Sequence, residues 1–316
     1  MFSFGKKIVM TVFGASHNGC IGVTVDGLKA GLKIDFESIK TLLARRSPRN
    51  IEASTARTED DEFEIISGLF NGLTCGSPLT AIFKNKDVKS ADYAPHLPRP
   101  GHSDYPAFVK YNGFNDYRGG GSFSGRMTAT FCFAGGVALQ ILKEKGIEIK
   151  AEIVKTGDIV AAKAVGDSVG GTIKCTATNV SAGLGEPIFN SVESVIAHAL
   201  FSIPAVKAVE FGAGRAAADM TGSQNNDEYF VENGKIRAKT NNAGGILGGI
   251  TNGMPIEVLI TIKPTPSIFV EQNTVNLKTK TNEKLQIKGR HDTCIVPRAL
   301  PVVESMVAFS LLNFME

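Results

Sequence analysis

No tryptophan occurs in the 316 residues, histidine appears five times, and five cysteines stand apart at positions 20, 75, 132, 175 and 294. An odd number of scattered thiols, none in a C-x-x-C pair, excludes a disulfide framework or a zinc ribbon and fits a reducing cytoplasm. The net charge is only +3, so no broad cationic face and no nucleic-acid partner are expected. A run of about 18 apolar residues, the length that spans a bilayer, is absent, and no membrane partner is expected. The opening "MFSFGKKIVMTVFGASHNG" is too short in its apolar run and too polar after it to read as a signal peptide. H-E-x-x-H, P-loop, G-x-S-x-G and metal-spaced Cys/His patterns are also missing, which leaves no metal site to expect. The remainder, 43% hydrophobic and 21% charged, is ordinary for a globular chain long enough to bury a large core.

Glycine, by contrast, is abundant, with 34 residues, and it is concentrated. "DYRGGGSFSGRMTA" (116–129) places three consecutive glycines between Arg118 and Arg126. Ordering such a run costs entropy, so it implies positive φ or something that must approach the main chain. Exposed amides flanked by guanidinium groups suit a phosphate or a carboxylate.

The chain also repeats itself. "GLTCGSPL" (72–79) and "GITNGMPI" (249–256) share G-[LI]-T-x-G-x-P-[LI], and each feeds an alternating apolar run that reads as a strand. Upstream of each copy comes a strand, a turn containing "AGL" and a helix: 21–46, with the helix opening near Asp35, and 170–203. The expected fold is therefore α/β, a pseudo-symmetric sandwich within one domain over 1–316. It has two related halves at about 1–120 and 150–310, with a central helix at about 122–146 between them. Three long stretches rich in Gly, Pro and Arg (44–62, 92–126 and 287–298) lack periodicity, as functional loops do.

His17, in "FGASHNG", His102 and His291 fall in glycine-containing loops, whereas His198 lies on an apolar helix and His96 in an ordinary loop. A loop histidine at a strand end suits acid–base work, because its pKa lies near working pH. The arginines follow the loops too: Arg45, Arg46, Arg49, Arg57, Arg99, Arg118, Arg126, Arg290 and Arg298. Converging on one cleft, they would hold a small ligand of several negative charges; separately, each would be a surface ion-pair residue. Asp292 adds a carboxylate beside His291.

At this point whole blocks carry a resemblance. "TVFGASHNGCIGVTVDGLKAGL", "RPGHSDY", "YRGGGSFSGR", "SAGLGEPIF", "VEFGAG", "NNAGGILGGITNGMPIEVLITIKPTPSI" and "GRHDTCIVPRALPVVESM" resemble, in order from about residue 10 to 310, the signature blocks of the chorismate synthase family. The resemblance implies a β-α-β sandwich, usually a homotetramer. It also implies an anti-1,4-elimination of phosphate from 5-enolpyruvylshikimate 3-phosphate, requiring reduced FMN without net redox change. It makes His17, His102 and Asp292 catalytic and Arg46, Arg99 and Arg126 substrate-binding. It assigns flavin contacts to Ser122, Phe123, Ser124, Pro204, Ala205, Gly248, Lys263, Pro264, Thr265, Pro266, Ser267 and Arg290. Whether NADPH or a separate reductase reduces the flavin stays open, as do the alternatives of a module that binds RNA or a nucleotide and of a net flavin oxidoreductase. The blocks depart from the family's usual residues at Ala15, Asn18, Glu52, Ser122, Phe123 and Pro204, and a segment is missing between Asp158 and Val165.

Overall fold

The structure, a computed structural model, describes residues 1–48, 61–86, 94–287 and 291–315. Glu52, Arg49 and Arg57 lie outside them, as does Arg290.

Strict alternation decides the strands. In Ile256–Ile262 (β15) every second residue, Ile256, Val258, Ile260 and Ile262, is buried, and Leu79, Ala81 and Phe83 of Leu79–Lys84 (β7) repeat the pattern. One antiparallel sheet joins Ser3–Phe4 (β1), Val9–Gly14 (β2), Cys20–Asp26 (β3), β7 and Glu64–Ser67 (β4), in the order β1-β2-β3-β7-β4. The other joins Val206–Phe211 (β10), β15, Gly171–Thr178 (β9) and Glu148–Thr156 (β8), in the order β10-β15-β9-β8. Phe36–Arg46 (α1), Thr128–Glu144 (α3), Val192–Phe201 (α5) and Val296–Met315 (α7) lie between the sheets. α3 touches β3 of one sheet and β8 of the other, while α7 packs along α1, α3, α5, β8 and β9. The chain is thus a β-α-β sandwich.

Each half follows the same course. Two strands, a helix, two more strands and a closing helix run β2-β3-α1-β4-β7-α3 and then β8-β9-α5-β10-β15-α7, with matching sheet orders. The helix expected to stand between the halves therefore closes the first, and α7 is its counterpart. The repeat sequence explains the match in detail. Just before β7 and β15 sit two short hairpins, Leu69–Phe70 (β5) with Leu73–Thr74 (β6), and Ile246–Leu247 (β13) with Ile250–Thr251 (β14). Thr74 and Thr251 are buried. The Thr74 hydroxyl donates to the Lys29 carbonyl (2.6 Å) and accepts the Leu32 N–H (2.8 Å). The Thr251 hydroxyl donates to Ser181 (2.7 Å) and accepts from Leu184 (2.9 Å). In both halves the "AGL" turn is clasped to the hairpin by one threonine.

Helix ends follow local chemistry. The Asp35 carboxylate caps α1 by accepting from Glu37 and Ser38 N–H. α3 starts at Thr128 rather than near 122, because residues 118–127 form two 3₁₀ turns and Gly119, Gly120 and Gly121 have positive φ. α3 meets α7 where a Cβ on Gly135 would lie 2.1 Å from the Ser305 Cβ. α7 has the length and hydropathy of a membrane span, yet it is buried between the other helices and carries Glu304 in the core. Burial is made tolerable there by Arg45, whose Nη1 and Nη2 donate to the Glu304 carboxylate at 2.6 and 2.9 Å, and by the Ala151 N–H. The 92–126 stretch is less irregular than its sequence suggests, since Asp104–Lys110 (α2) forms within it. Where the segment after Asp158 is short, Ile159–Val165 (α4) runs from an Asp158 cap to Gly166 in the left-handed region. The remaining elements are the helix Gly222–Asn225 (α6) and the hairpins Tyr229–Glu232 (β11) with Lys235–Ala238 (β12) and Gln272–Asn276 (β16) with Thr281–Leu285 (β17).

Replacing Thr74 or Thr251 by valine keeps the shape and leaves an N–H and a C=O without their partner. Each substitution is expected to destabilise the fold by about 1–3 kcal/mol, read from denaturant unfolding midpoints. A change below about 0.3 kcal/mol at either site would show the clasp to be dispensable.

Candidate active site

The triple glycine is where the site begins. Gly119, Gly120 and Gly121 have φ of 59°, 84° and 54°, all in the region that favours glycine. Space is as restrictive as conformation. A Cβ on Gly119 would lie 2.0 Å from the His17 ring, and one on Gly120 would lie 3.1 Å from His102 Nε2. A Cβ on Gly121 would stand 2.4 Å from the Asp116 carbonyl oxygen. The bare backbone thus runs between two imidazoles. The β2–β3 turn is pinned to it: Ser16 N–H donates to Gly121 O (3.2 Å), and Ser16 Oγ lies 3.1 Å from His17 Nδ1. Arg118 does not join the site; its guanidinium donates to Asp116 at 2.8 Å.

His102 is oriented by Asp104, whose Oδ1 is 2.6 Å from Nδ1. Arg99 grips the same carboxylate with Nε at 2.8 Å and Nη2 at 2.9 Å, and Arg99 N–H donates to it as well. Burial pushes the Asp104 carboxyl up, but the hydrogen bonds and charges of Arg99 and His102 outweigh it and hold Asp104 well below the usual carboxylate range. With Nδ1 committed to Asp104, Nε2 is the nitrogen left for chemistry.

Asp61 does for two arginines what Asp104 does for one. Its side chain is only 3% exposed. One oxygen accepts from Arg46 Nε (3.0 Å) and Nη2 (2.5 Å), and the other accepts from Arg126 Nη1. Arg126 Nε also donates to Asn85 Oδ1 (3.2 Å). Burial would raise the Asp61 carboxyl, yet the two guanidinium charges keep it below its ordinary value. Across the site Arg298 donates from Nη1 to Asp292 (2.6 Å) and from Nε to the Arg46 carbonyl (3.0 Å). Thr265 donates to the Asp292 main-chain carbonyl at 2.8 Å.

These groups line a cavity of about 680 Å³, within the range of small-molecule sites. Six cationic side chains face it, Arg46, Arg99, Arg126, Lys207, Lys263 and Arg298, against one lining carboxylate, Asp292. Counting Asp61 and Asp104 behind the wall still leaves three positive charges in excess among the described residues. His102, Ser122, Phe123, Ser124, Pro204, Ala205, Thr265, Pro266 and Ser267 line the same space, and so does His291. His17 does not line it but stands behind Gly119, which does. Pro264 is not among the lining residues, and Gly248 sits at the turn of the β13–β14 hairpin, outside the cavity wall. His198 is exposed on α5, its ring edge-on to Phe4. Asp61, Asn85, Asp104 and Lys207 were not singled out by sequence; only Asp104, two residues from His102, offered a local signal.

Two outcomes follow from this geometry. Gly119→Ala should cost at least about 2 kcal/mol through strain and overpacking, whereas Gly125→Ala, with nothing within 4 Å of its Cβ, should cost far less; equal unfolding midpoints for the two would contradict the packing. Because the Asp61 and Asp104 carboxyls sit below their unfolded values, their stabilisation is complete above about pH 4 and is lost as pH falls through the folded values. Asp104→Asn should therefore be less stable than wild type at neutral pH, and the gap should narrow in acid below about pH 4. Parallel stability curves for the two proteins would refute the assignment.

The chain matches a family model described as chorismate synthase over residues 8–164 and 156–315. It is 44% identical over 345 residues to a chorismate synthase of Dehalococcoides mccartyi, covering 98% of this chain and 95% of the relative. It is 45% identical over 324 residues to one of Chitinophaga pinensis, covering 100% and 96%. A solved structure described as "Crystal Structure of Chorismate Synthase" superposes with a TM-score of 0.77 at 28% identity, covering 98% of this chain and 92% of that one.

Proposed function

Since the chain belongs to the chorismate synthase family, we propose that it converts 5-enolpyruvylshikimate 3-phosphate to chorismate by a 1,4-elimination in which phosphate and a ring proton leave on opposite faces. The observation that carries this reading is the cavity's surplus of guanidinium groups around His102. A substrate with two carboxylates and a phosphate needs several bidentate donors, and arginines already held by Asp61, Asp104 and Asp292 meet it without reorganising.

His102 is assigned to the leaving phosphate. Its Nδ1 faces Asp104 and its Nε2 is the nitrogen left to the cavity, from which a proton can pass to the departing oxygen. Arg46, Arg99 and Arg126 hold the substrate anions. Asp292, the one lining carboxylate among the described residues, is assigned to removal of the ring proton, and Arg298 fixes its orientation. His17, held by Ser16 behind the glycine loop, is the second proton carrier.

The residues present also fit a flavin mononucleotide. Gly101, Gly119 and Gly125 give a wall without side chains, Phe123, Pro204, Ala205 and Pro266 give flat apolar surface, and Lys263, Thr265 and Ser267 give donors. When bound, reduced FMN supplies electron density to the reacting system and recovers it, with no net redox change. The proposal takes the enzyme as a cytoplasmic homotetramer, with its flavin reduced by NADPH or by a separate reductase.

Anaerobic incubation with the phosphorylated substrate and reduced FMN should release phosphate and form chorismate over many turnovers while the flavin stays reduced. Reductant consumed in proportion to product would instead mark a net oxidoreductase. His102→Ala should lower kcat by about 10²–10⁴-fold; a loss of only a few-fold would remove it from the chemistry.

A further inference from the structure

Among the described residues, five of the six cations facing the cavity have a protein acceptor. Arg46 and Arg126 share Asp61, Arg99 has Asp104, and Arg298 has Asp292. Lys263 donates to the Gly101 carbonyl at 2.5 Å. Lys207 is the exception: it lines the cavity, is exposed, and has no acceptor among the described residues.

The backbone around Lys207 is irregular in two ways. In the pairing of β10 with β15, Val206 faces Ile262 and Ala208 faces Thr261, so Lys207 is the extra residue of a β-bulge on an edge strand. A bulge re-aims a side chain, and bulges concentrate beside active sites. Two residues earlier, Ala205 adopts φ of +72°, costly for a residue with a Cβ. Its carbonyl is nevertheless secured by the Lys263 N–H at 2.9 Å, on a neighbouring part of the same wall. An ammonium without an acceptor among the described residues, a bulge at the same residue and a strained residue two positions before it converge on one cavity wall.

We propose that Lys207 is a ligand-binding residue that holds a phosphate monoester. A lysine acts as a compact point charge suited to phosphate, while the paired arginines have the fork geometry that carboxylates prefer. The inference rests on the proposed chorismate synthase activity, in which two phosphate monoesters are available, that of the flavin mononucleotide and that of the substrate.

The test uses the full-length protein, Lys207→Met, which keeps the apolar stem, and Lys207→Arg. FMN and riboflavin, which lacks the phosphate, are titrated into each protein by flavin fluorescence, and KM and kcat are measured with reduced FMN. Loss of one charged contact should weaken binding about 10- to 100-fold. A loss confined to FMN, with riboflavin unchanged, identifies the flavin phosphate. A comparable rise in KM with a smaller change in kcat and unaltered flavin binding identifies the substrate phosphate. In either case Lys207→Arg should recover most of the affinity. FMN affinity and KM both within about two-fold of wild type, or equal weakening of FMN and riboflavin, would overturn the proposal. A wild-type protein that binds FMN but forms no chorismate would sink the activity; a loss confined to FMN in Lys207→Met would then still uphold the role of Lys207, and unchanged FMN binding would overturn it, whereas a wild-type protein that binds no FMN and forms no chorismate sinks both.

Discussion

Buried guanidinium groups need anions behind them. Desolvating a charge costs several kcal/mol even after the protein relaxes, and a lone pair of arginines on one wall would also repel each other. Here the cost is met by three aspartates placed on the far side of the arginines from the cavity or along its edge: Asp61 for Arg46 and Arg126, Asp104 for Arg99, and Asp292 for Arg298. The number of carboxylates is one short of the number of arginines they hold, so the wall stays positive while remaining foldable. The same ion pairs fix the direction of each fork. A site built in this way presents donors at the moment a ligand arrives, which is what stabilising a developing anion requires.

The duplicated scaffold supplies the frame and then departs from symmetry where the chemistry lies. Thr74 and Thr251 make matching pairs of hydrogen bonds, and the two sheets share one strand order. Ahead of α3, however, the chain carries the glycine loop and His102, whereas the second half carries His291 and Asp292 ahead of α7 and Arg298 in its first turn. One half brings His102 and the guanidinium groups of Arg46, Arg99 and Arg126, and the other brings Asp292 and Arg298, which donates to it.

Most of the framework was legible in the sequence because it rests on local patterns. Period-2 alternation marked β7 and β15, the G-[LI]-T-x-G-x-P-[LI] repeat announced the duplication, and Asp35 signalled the start of α1. The start of α3 was misplaced because nothing in "SFSGRM" forbids a helix, while Ser124 is extended (φ −68°, ψ 143°) and divides two 3₁₀ turns ahead of Thr128. α2 and α4 were missed because seven-residue helices leave too few periodic positions to register. In the site, the histidines and arginines were visible as residue types in glycine loops. Their partners were not: Asp61 meets Arg126 across 65 positions, and Asn85 meets it across 41. Nor does anything local mark Lys207, whose bulge depends on pairing with a strand some fifty residues on.

The cavity wall is assembled from segments that begin at Arg46 and end at Arg298. The Arg46–Asp61–Arg126 and Arg99–Asp104 pairs lie within the first half, so one side of the wall can form before α7 is made. The opposite side, from Pro204 to Arg298, comes only with the second half. Enclosure is therefore a late event in synthesis: a polypeptide halted before α7 would carry the guanidinium cluster on an open face, with no second wall to shut it in.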